Sequence, residues 1–391
     1  MMHPVPLAIL LLFLWLPDIY IYRYYVRPQT RSLLLRLLHF LPSVLLSIAL
    51  AVLLYKLNAN TLAHHARVIG VLSVCLLAGI LPKLLFTLLT LLFFPVRKLL
   101  HLRRKPFTVT AFVLAVVSLS SIAYGATFGV NHIVVKPLEY ARADVPAGFD
   151  GYRIVQLSDI HIGSRAGDLR FVQRMVERVN KLKPDLILFT GDLVNQRSRE
   201  LDAFTDELSR LHATDGVYSV LGNHDYGTYY RWRSEEEQME NFTGLLQRQA
   251  QMHWTLLNNS HVVLHHRGDS IALIGVENDG EPPFGQHADL PRATANTAGM
   301  FGILMTHNPT HWLREVVPDT DIRLTLSGHT HAMQLVLFGH SPAEWMYPQW
   351  RGLYTHDGQD LYVNTGIGYI GLPFRLGANP EITLITLKHI P

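Results

Sequence analysis

Ile154-Val155-Gln156-Leu157-Ser158-Asp159-Ile160-His161 is the stretch from which this chain can be read: an apolar run that ends in a carboxylate and an imidazole two residues apart. Alternate residues of a strand face the same side, so Asp159 and His161 can share one ligand if the extended geometry persists just past the strand's end. An isolated Asp-x-His triplet is a common accident in proteins. Its meaning here comes from what surrounds it.

Downstream, Asp168 to Leu182 places Leu169, Val172, Val176 and Val179 near helical spacing. Pro184-Asp185 breaks that pattern before a second apolar strand, Leu186 to Thr190, which completes a βαβ unit. Helical residues Phe204 to Leu211, then Gly216 and a strand at Val217 to Leu221, repeat the scheme. Val262 to His266 and Ile271 to Val276 flank a turn at Gly268-Asp269 and predict a hairpin. Further strands are expected at Phe301 to Met305, Arg323 to Leu326, Leu361 to Val363 and Ile382 to Leu387. Such alternation predicts a layered α/β domain with sheets covered by helices.

The main strands end in polar, metal-capable sequences. After the first come Asp159 and His161; the others lead into Gly191-Asp192, Gly222-Asn223-His224-Asp225, Thr306-His307-Asn308 and Gly328-His329-Thr330-His331. Ligands of open α/β sheets lie beyond the carboxyl ends of the strands, so these five ends are expected to meet in one site. Glycines at 191, 222 and 328 suit sharp departures from strand to loop. Histidine, aspartate and asparagine together offer the nitrogen and oxygen ligands preferred by Mn, Fe, Zn or Co, without thiolate. Two divalent ions about 3.5 to 4 Å apart can clamp the attacking and leaving oxygens of a phosphoester displacement, and a carboxylate must bridge them.

The ordered set Asp159-x-His161, Gly191-Asp192, Gly222-Asn223-His224-Asp225, His307 and Gly328-His329-x-His331 closely resembles the calcineurin-like metallophosphoesterase superfamily, over roughly residues 150 to 390. With its apolar N-terminal part the chain looks like the transmembrane proteins with a metallophosphoesterase domain. These are related to exported bacterial phosphodiesterases and to UDP-2,3-diacylglucosamine pyrophosphatases of lipid A biosynthesis. The resemblance implies an α/β/β/α layered domain and two divalent metal ions. It implies Asp159, His161 and His331 as ligands of the first metal, Asn223, His307 and His329 as ligands of the second, and Asp192 as the bridge. It also implies that His224 stabilises the phosphoryl oxygens or protonates the leaving oxygen, a task suited to an imidazole, with Asp225 orienting it. One departure stands out: many relatives continue Gly-His-Thr-His-Gly-Gly-Gln, whereas this chain has Ala332-Met333-Gln334. Ala and Met are expected to narrow the conformations of that loop.

Working back toward the N-terminus, Lys136 to Gly151, with Pro137, Pro146 and Gly148, reads as a connector. Before it, residues 1–135 form a membrane domain; residues 136–391 form the catalytic one. Four apolar stretches approach the roughly 20 residues that cross a bilayer: Val5 to Tyr22, Leu37 to Tyr55, Val68 to Phe94 and Phe107 to Val130. The first resembles a signal peptide in position, but three further spans and the lack of a small-residue cleavage region argue against its removal. Pro82-Lys83 interrupts the third, which is too short to span if split and is therefore one long helix. Lys83 and Asp18 are the intramembrane charges.

The first loop carries Arg23, Arg27, Arg31 and Arg36, and the third carries Arg97, Lys98, Arg103, Arg104 and Lys105. The second has only Lys56 and Arg67 at its edges. Short basic loops stay in the cytoplasm, so the catalytic domain is expected outside it. A UDP-linked substrate would instead be expected on the cytoplasmic side, and the two expectations conflict.

The formal net charge of +3 gives no argument for nucleic-acid binding. One cysteine, Cys75, excludes an intrachain disulfide and leaves no basis for thiolate ligation. His265, His266 and His311 read as packing or loop residues outside the set. The stretch Phe338 to Tyr354 holds Trp345, Tyr347 and Trp350, residues that suit a core, a pocket wall or a membrane interface.

The expected activity is metal-dependent hydrolysis of a phosphodiester or pyrophosphate, plausibly lipid-linked. Two readings compete with it. A non-catalytic scaffold with a structural metal centre would not require His224-Asp225, and a transporter finds little intramembrane charge and no repeated half. Metal identity and oligomeric state are not legible.

Overall fold

The computed structural model describes residues 4–56, 66–101, 103–165, 167–282 and 284–391. Residues 57–65, which the sequence places between the second and third spans, lie outside that set. The chain divides into two compact units, residues 1–128 with 371–374, and residues 129–370 with 375–391.

Among the described residues of the first unit lie four long helices, α1 (Pro4–Ile21), α2 (Leu33–Lys56), α3 (Ala66–Leu99) and α4 (Arg104–Thr127). All are long and apolar enough to cross a membrane. The third is one continuous helix through Pro82. Their surface is inside-out relative to a water-soluble bundle: Leu12, Leu16, Leu45, Leu92 and Val117 face outward, while Asp18, Ser43, Thr87 and Thr90 are buried. That is the arrangement lipid demands, because apolar side chains gain nothing by hiding from it and polar ones do. Asp18 and Lys83 neutralise each other at 2.9 Å, and Ser43 Oγ donates to the Asp18 carboxylate at 2.5 Å.

Among its described residues the second unit contains twelve strands. In chain order they are β1 (Val134–Arg142), β2 (Arg153–Leu157), β3 (Leu186–Phe189), β4 (Val217–Ser219) and β5 (Trp254–Leu256). Then follow β6 (Ser260–His266), β7 (Asp269–Gly275), β8 (Phe301–Met305) and β9 (Leu324–Ser327). Last come β10 (Gly352–His356), β11 (Gln359–Val363) and β12 (Glu381–His389). They form two six-stranded sheets, ordered β1-β12-β2-β3-β4-β5 and β10-β11-β9-β8-β7-β6. Strands β2 to β5 run parallel, as do β7, β8, β9 and β11, and β6 and β7 form the expected hairpin.

Alternation along each strand builds the layers. Ile154, Leu186 and Leu188 of one sheet meet Leu273, Ile303, Leu324 and Leu326 of the other in a shared core. Their neighbours Val155, Leu157, Ile187 and Phe189 point the opposite way, against α5 (Leu169–Lys181). That helix buries Phe171, Val172, Met175, Val176 and Val179, and Asp168 caps it by accepting from Phe171 N–H at 3.2 Å. Burying each such side chain contributes about 1.5–3 kcal/mol. On the far face, Ile274, Leu304 and Val363 cover Trp312 and Val316. The result is helix, sheet, sheet, helix.

One expectation needs correcting. The stretch Lys136 to Gly151 is not a free connector, since β1 pairs with β12 in parallel over Val134–Arg142. Pro137 disguised it in the sequence. A proline removes a ladder donor, but β1 lies at the sheet's edge, where that donor is dispensable. The helix α6 (Glu235–Gln251), capped by Ser234, was likewise not foreseen.

Candidate metal centre and catalytic cleft

The parallel strands β2, β3, β4, β8 and β9 lead straight into the five polar segments, and their parallel pairing brings those segments to one edge. Asp159, His161, Asp192, Asn223, His307 and His331 are buried there, with His224 and His329 at the cleft surface. The turns are tight. Asp159, His161, Asp192, His329 and His331 all hold φ between 44° and 73°, a left-handed conformation that costs a non-glycine residue about 1–2 kcal/mol. Such strain marks sites over-determined by their surroundings. Gly222 and Gly328 permit the approach of the loops, since a Cβ on either would collide with the carboxylate of Asp192 or Asp159.

Two nests of ligand atoms meet at Asp192. In one, His331 Nε2 lies 3.3 Å from Asp159 Oδ1 and 3.1 Å from His161 Nε2. In the other, His307 Nε2 lies 3.2 Å from His329 Nδ1. Asp192 Oδ2 stands 3.5 Å from His161 Nε2 and 3.2 Å from His307 Nε2, touching both. Asn223 lines the same cleft: its Nδ2 donates to Tyr229 Oη at 2.8 Å, while its buried Oδ1 has no hydrogen-bond partner among the described residues. Nitrogen lone pairs and carboxylate oxygens crowded in this way require positive charge among them, and an orphaned amide oxygen suits an oxygen-accepting cation. The donor set therefore fits divalent metal.

The electrostatics are those of a buried polar cluster. Burial pushes His161 and His329 down to about 3, His331 well below its usual range, and Asp159 up to about 6. Burial also works against ionising His307 and Asp192, but the two face each other. The carboxylate therefore lifts His307 to about 9, and His307 with His224 holds Asp192 well below the carboxylate range. His307 Nδ1 donates to the Thr190 carbonyl at 2.7 Å, which turns Nε2 inward.

His224 lies against the ligand cluster, its ring 4.9 Å from that of His161. Its Nδ1 donates to the Asn195 carbonyl at 2.6 Å, which leaves Nε2 for the cleft. Asp225 does not do what was expected of it. Its carboxylate accepts backbone N–H groups from Asp192, Leu193, Val194 and Gly222 at 2.9–3.2 Å, so it fixes the Asp192 turn, and the Asn195 carbonyl orients His224 instead. The expected effect of Ala332 and Met333 also differs: both adopt φ of 48° and 44°, so the loop takes a conformation glycine would prefer despite their side chains.

Sequence reasoning missed Arg375, fully buried, whose Nη2 donates to His331 Nδ1 at 3.0 Å and to the Thr365 carbonyl at 2.9 Å. Nothing in the spacing around Pro373-Phe374-Arg375 signals it. Tyr347, 3.0 Å from His329 Nε2, lies in the aromatic stretch already noticed. His311 bonds Thr306 and Glu315, and His266 packs tilted against Phe149 and edge-on to Tyr152; neither lines the cleft. The cleft itself has a volume of about 480 Å³ and exposes His161, Asp192, Asn223, His224, His329 and His331 between Tyr229, Phe284, Met333, Met346 and Tyr347.

Known proteins resemble both parts of the chain. The family model for calcineurin-like phosphoesterase matches residues 152–333, and that for the probable calcineurin-like phosphoesterase transmembrane domain matches residues 3–130. A transmembrane protein with metallophosphoesterase domain from Danio rerio is 33% identical over 288 residues, covering 71% of this chain. That match spans only 62% of the zebrafish protein. An uncharacterised metallophosphoesterase of Bacillus subtilis is 32% identical over 62% of this chain and 82% of its own length. A Chlamydia muridarum protein named UDP-2,3-diacylglucosamine pyrophosphatase is 27% identical over 72% of this chain and 99% of its own.

Proposed function

We infer the reaction from one premise, that this chain belongs to the calcineurin-like metallophosphoesterases and carries their four-helix transmembrane domain. It is a membrane protein and a phosphoester hydrolase of a family that uses divalent metals. The finer reading is ours: a two-metal hydrolase of a phosphodiester or pyrophosphate whose leaving or remaining group is a lipid. The observation that carries it is Asp192, whose Oδ2 faces His161 on one side and His307 on the other at 3.5 and 3.2 Å.

In this reading Asp159, His161 and His331 hold one ion, Asn223, His307 and His329 the other, and Asp192 both. Divalent metal supplies Lewis-acid polarisation of the phosphoryl group and activation of water. The chain's own part is orientation and proton handling. Asp225 and Arg375 hold the Asp192 turn and the His331 ring in place. His224 Nε2, backed by the Asn195 carbonyl, donates to a phosphoryl oxygen and delivers a proton to the departing one. Asn223 and Tyr229 bound the cleft on the side of His224, and Met333 and Met346 give it an apolar wall.

Support for a lipid substrate is the membrane domain together with the name of the Chlamydia relative. The decisive assay is turnover by the full detergent-solubilised chain on a panel of phosphodiesters, pyrophosphates and phosphomonoesters with each divalent metal. No hydrolysis of any diester or pyrophosphate would overturn the reading. The basic residues of loops one and three support a catalytic domain outside the cytoplasm. In a Cys75→Ser background, Ser234→Cys, at an exposed position, should react with membrane-impermeant maleimide from the outer face. Reaction only after membrane rupture would put the domain inside and favour a UDP-diacylglucosamine type of substrate.

A further inference from the structure

Beside the cleft, residues 332–350 form a knob with an unusual surface. Phe338 is 100% exposed, Trp345 88% and Met346 62%. Between Ala332 and Trp350 there is one acidic residue, Glu344, and no lysine or arginine. The knob is rigidly built. Leu337 and His340 exchange backbone hydrogen bonds at 2.9 and 3.0 Å across a turn whose tip is Phe338-Gly339, both at positive φ. Ser341 Oγ donates to the Ala332 carbonyl at 2.7 Å, and Val336 N–H donates to the Leu376 carbonyl at 2.7 Å. Beneath, Ala332, Val336 and Ala378 make a small core against Trp350. The backbone that carries the exposed rings is therefore held in place.

Large apolar side chains held this exposed within one short segment mark a surface that something covers. The covalent structure says what is close enough. Six residues separate α4 from β1, a reach of at most about 25 Å, so the domain never leaves the neighbourhood of a bilayer. Phenylalanine, tryptophan and methionine beside a single carboxylate, Glu344, which pairs with His340 at 3.2 Å, are suited to the interfacial zone of lipid, where an aromatic ring is stabilised without any matching protein surface.

We propose that the Phe338–Trp345–Met346 knob inserts into the interface of the bilayer that anchors the chain and so seats the mouth of the cleft at headgroup level. Met346 and Tyr347 belong both to the knob and to the cleft wall, which makes the two continuous. The consequence for substrate access rests on the lipid-phosphate reading above; the insertion does not.

The experiment uses the full chain in nanodiscs of phosphatidylethanolamine and phosphatidylglycerol, in a Cys75→Ser background. An environment-sensitive fluorophore on Phe338→Cys should emit blue-shifted and be quenched by lipid spin-labelled near the headgroup, whereas the same fluorophore on Glu236→Cys should do neither. Water-like emission at both positions overturns the insertion. So does concentration-dependent cross-linking of two Phe338→Cys chains, which would assign the knob to a second copy. A second arm replaces Phe338 and Trp345 with serine: KM for a bilayer-embedded phosphodiester should rise by about tenfold, the scale of losing two partly buried rings, with kcat/KM for soluble bis(4-nitrophenyl) phosphate unchanged. Equal losses on both substrates overturn the link to access. If the chain hydrolyses neither, the hydrolase reading fails, and the fluorescence result still decides the insertion.

Discussion

Asp225 accepts the backbone N–H of Asp192 at 2.9 Å, and through three further N–H groups it holds the whole turn on which the two nests of ligands depend. A residue adjacent to the proposed catalytic imidazole thus acts on the proposed metal site. Asp225→Ala would leave buried donors unpaired, each costing about 1–3 kcal/mol. The expected outcome is a clear fall in thermal midpoint and in bound metal together, measured by thermal unfolding and elemental analysis. Normal metal content with reduced turnover would instead return Asp225 to an acid-base role.

His224 should behave in the opposite way. His224→Ala is expected to keep its metals and its thermal midpoint while turnover falls by about 100- to 10,000-fold, the usual contribution of a general acid or base. Loss of metal in that variant would make His224 a ligand, which its nearness to His161 and Asp192 makes a fair test.

Asp192→Asn should abolish turnover and lower metal content, because a neutral amide is a poor bridge between two cations. Elemental analysis finding two metals per chain with undiminished turnover would remove Asp192 from the centre of the mechanism.

Metal binding should tighten as pH rises from about 6 toward 9. Without metal, His161 and His329 stand at about 3 and are neutral throughout this window, whereas His307 at about 9 carries a proton that a ligand cannot keep. Below about 6 the Asp159 carboxyl also takes up a proton and competes further. Binding at pH 7 should therefore release a proton, and calorimetry in buffers of different ionisation enthalpy will read it. Proton uptake, or affinity that falls across this range, would contradict the assignment.

Met333→Gly should stabilise the fold. Met333 holds φ of 44° on the rim of the cleft, where relief of left-handed strain is worth about 1–2 kcal/mol and the added flexibility of glycine takes back about 0.5–1. A net gain of somewhat under 1 kcal/mol should appear as a raised thermal midpoint. A lowered one would mean that the Met333 side chain contributes more by packing than its backbone costs.

Much of this protein was legible one residue at a time. Apolar runs announce the four spans because a bilayer sets their length and excludes charge. Strands β2, β3, β8 and β9 were recognisable because residues buried on both faces must all be apolar, and the metal-capable side chains stand out because each strand gives way abruptly to Asp, Asn or His. What escaped shares a different property. The pairing of β1 with β12 joins residues at opposite ends of the catalytic domain, and no local pattern encodes that.

The Thr190 and Asn195 carbonyls that orient His307 and His224 belong to the backbone, which has no signature in a sequence. Asp225 and Arg375 read the same in a sequence wherever their side chains point. The chain by itself determined which groups could bind metal and that they would sit beside a membrane anchor. Only the tertiary structure decided which of those groups face the cleft and which hold it in place, because a hydrogen bond depends on direction as well as on composition.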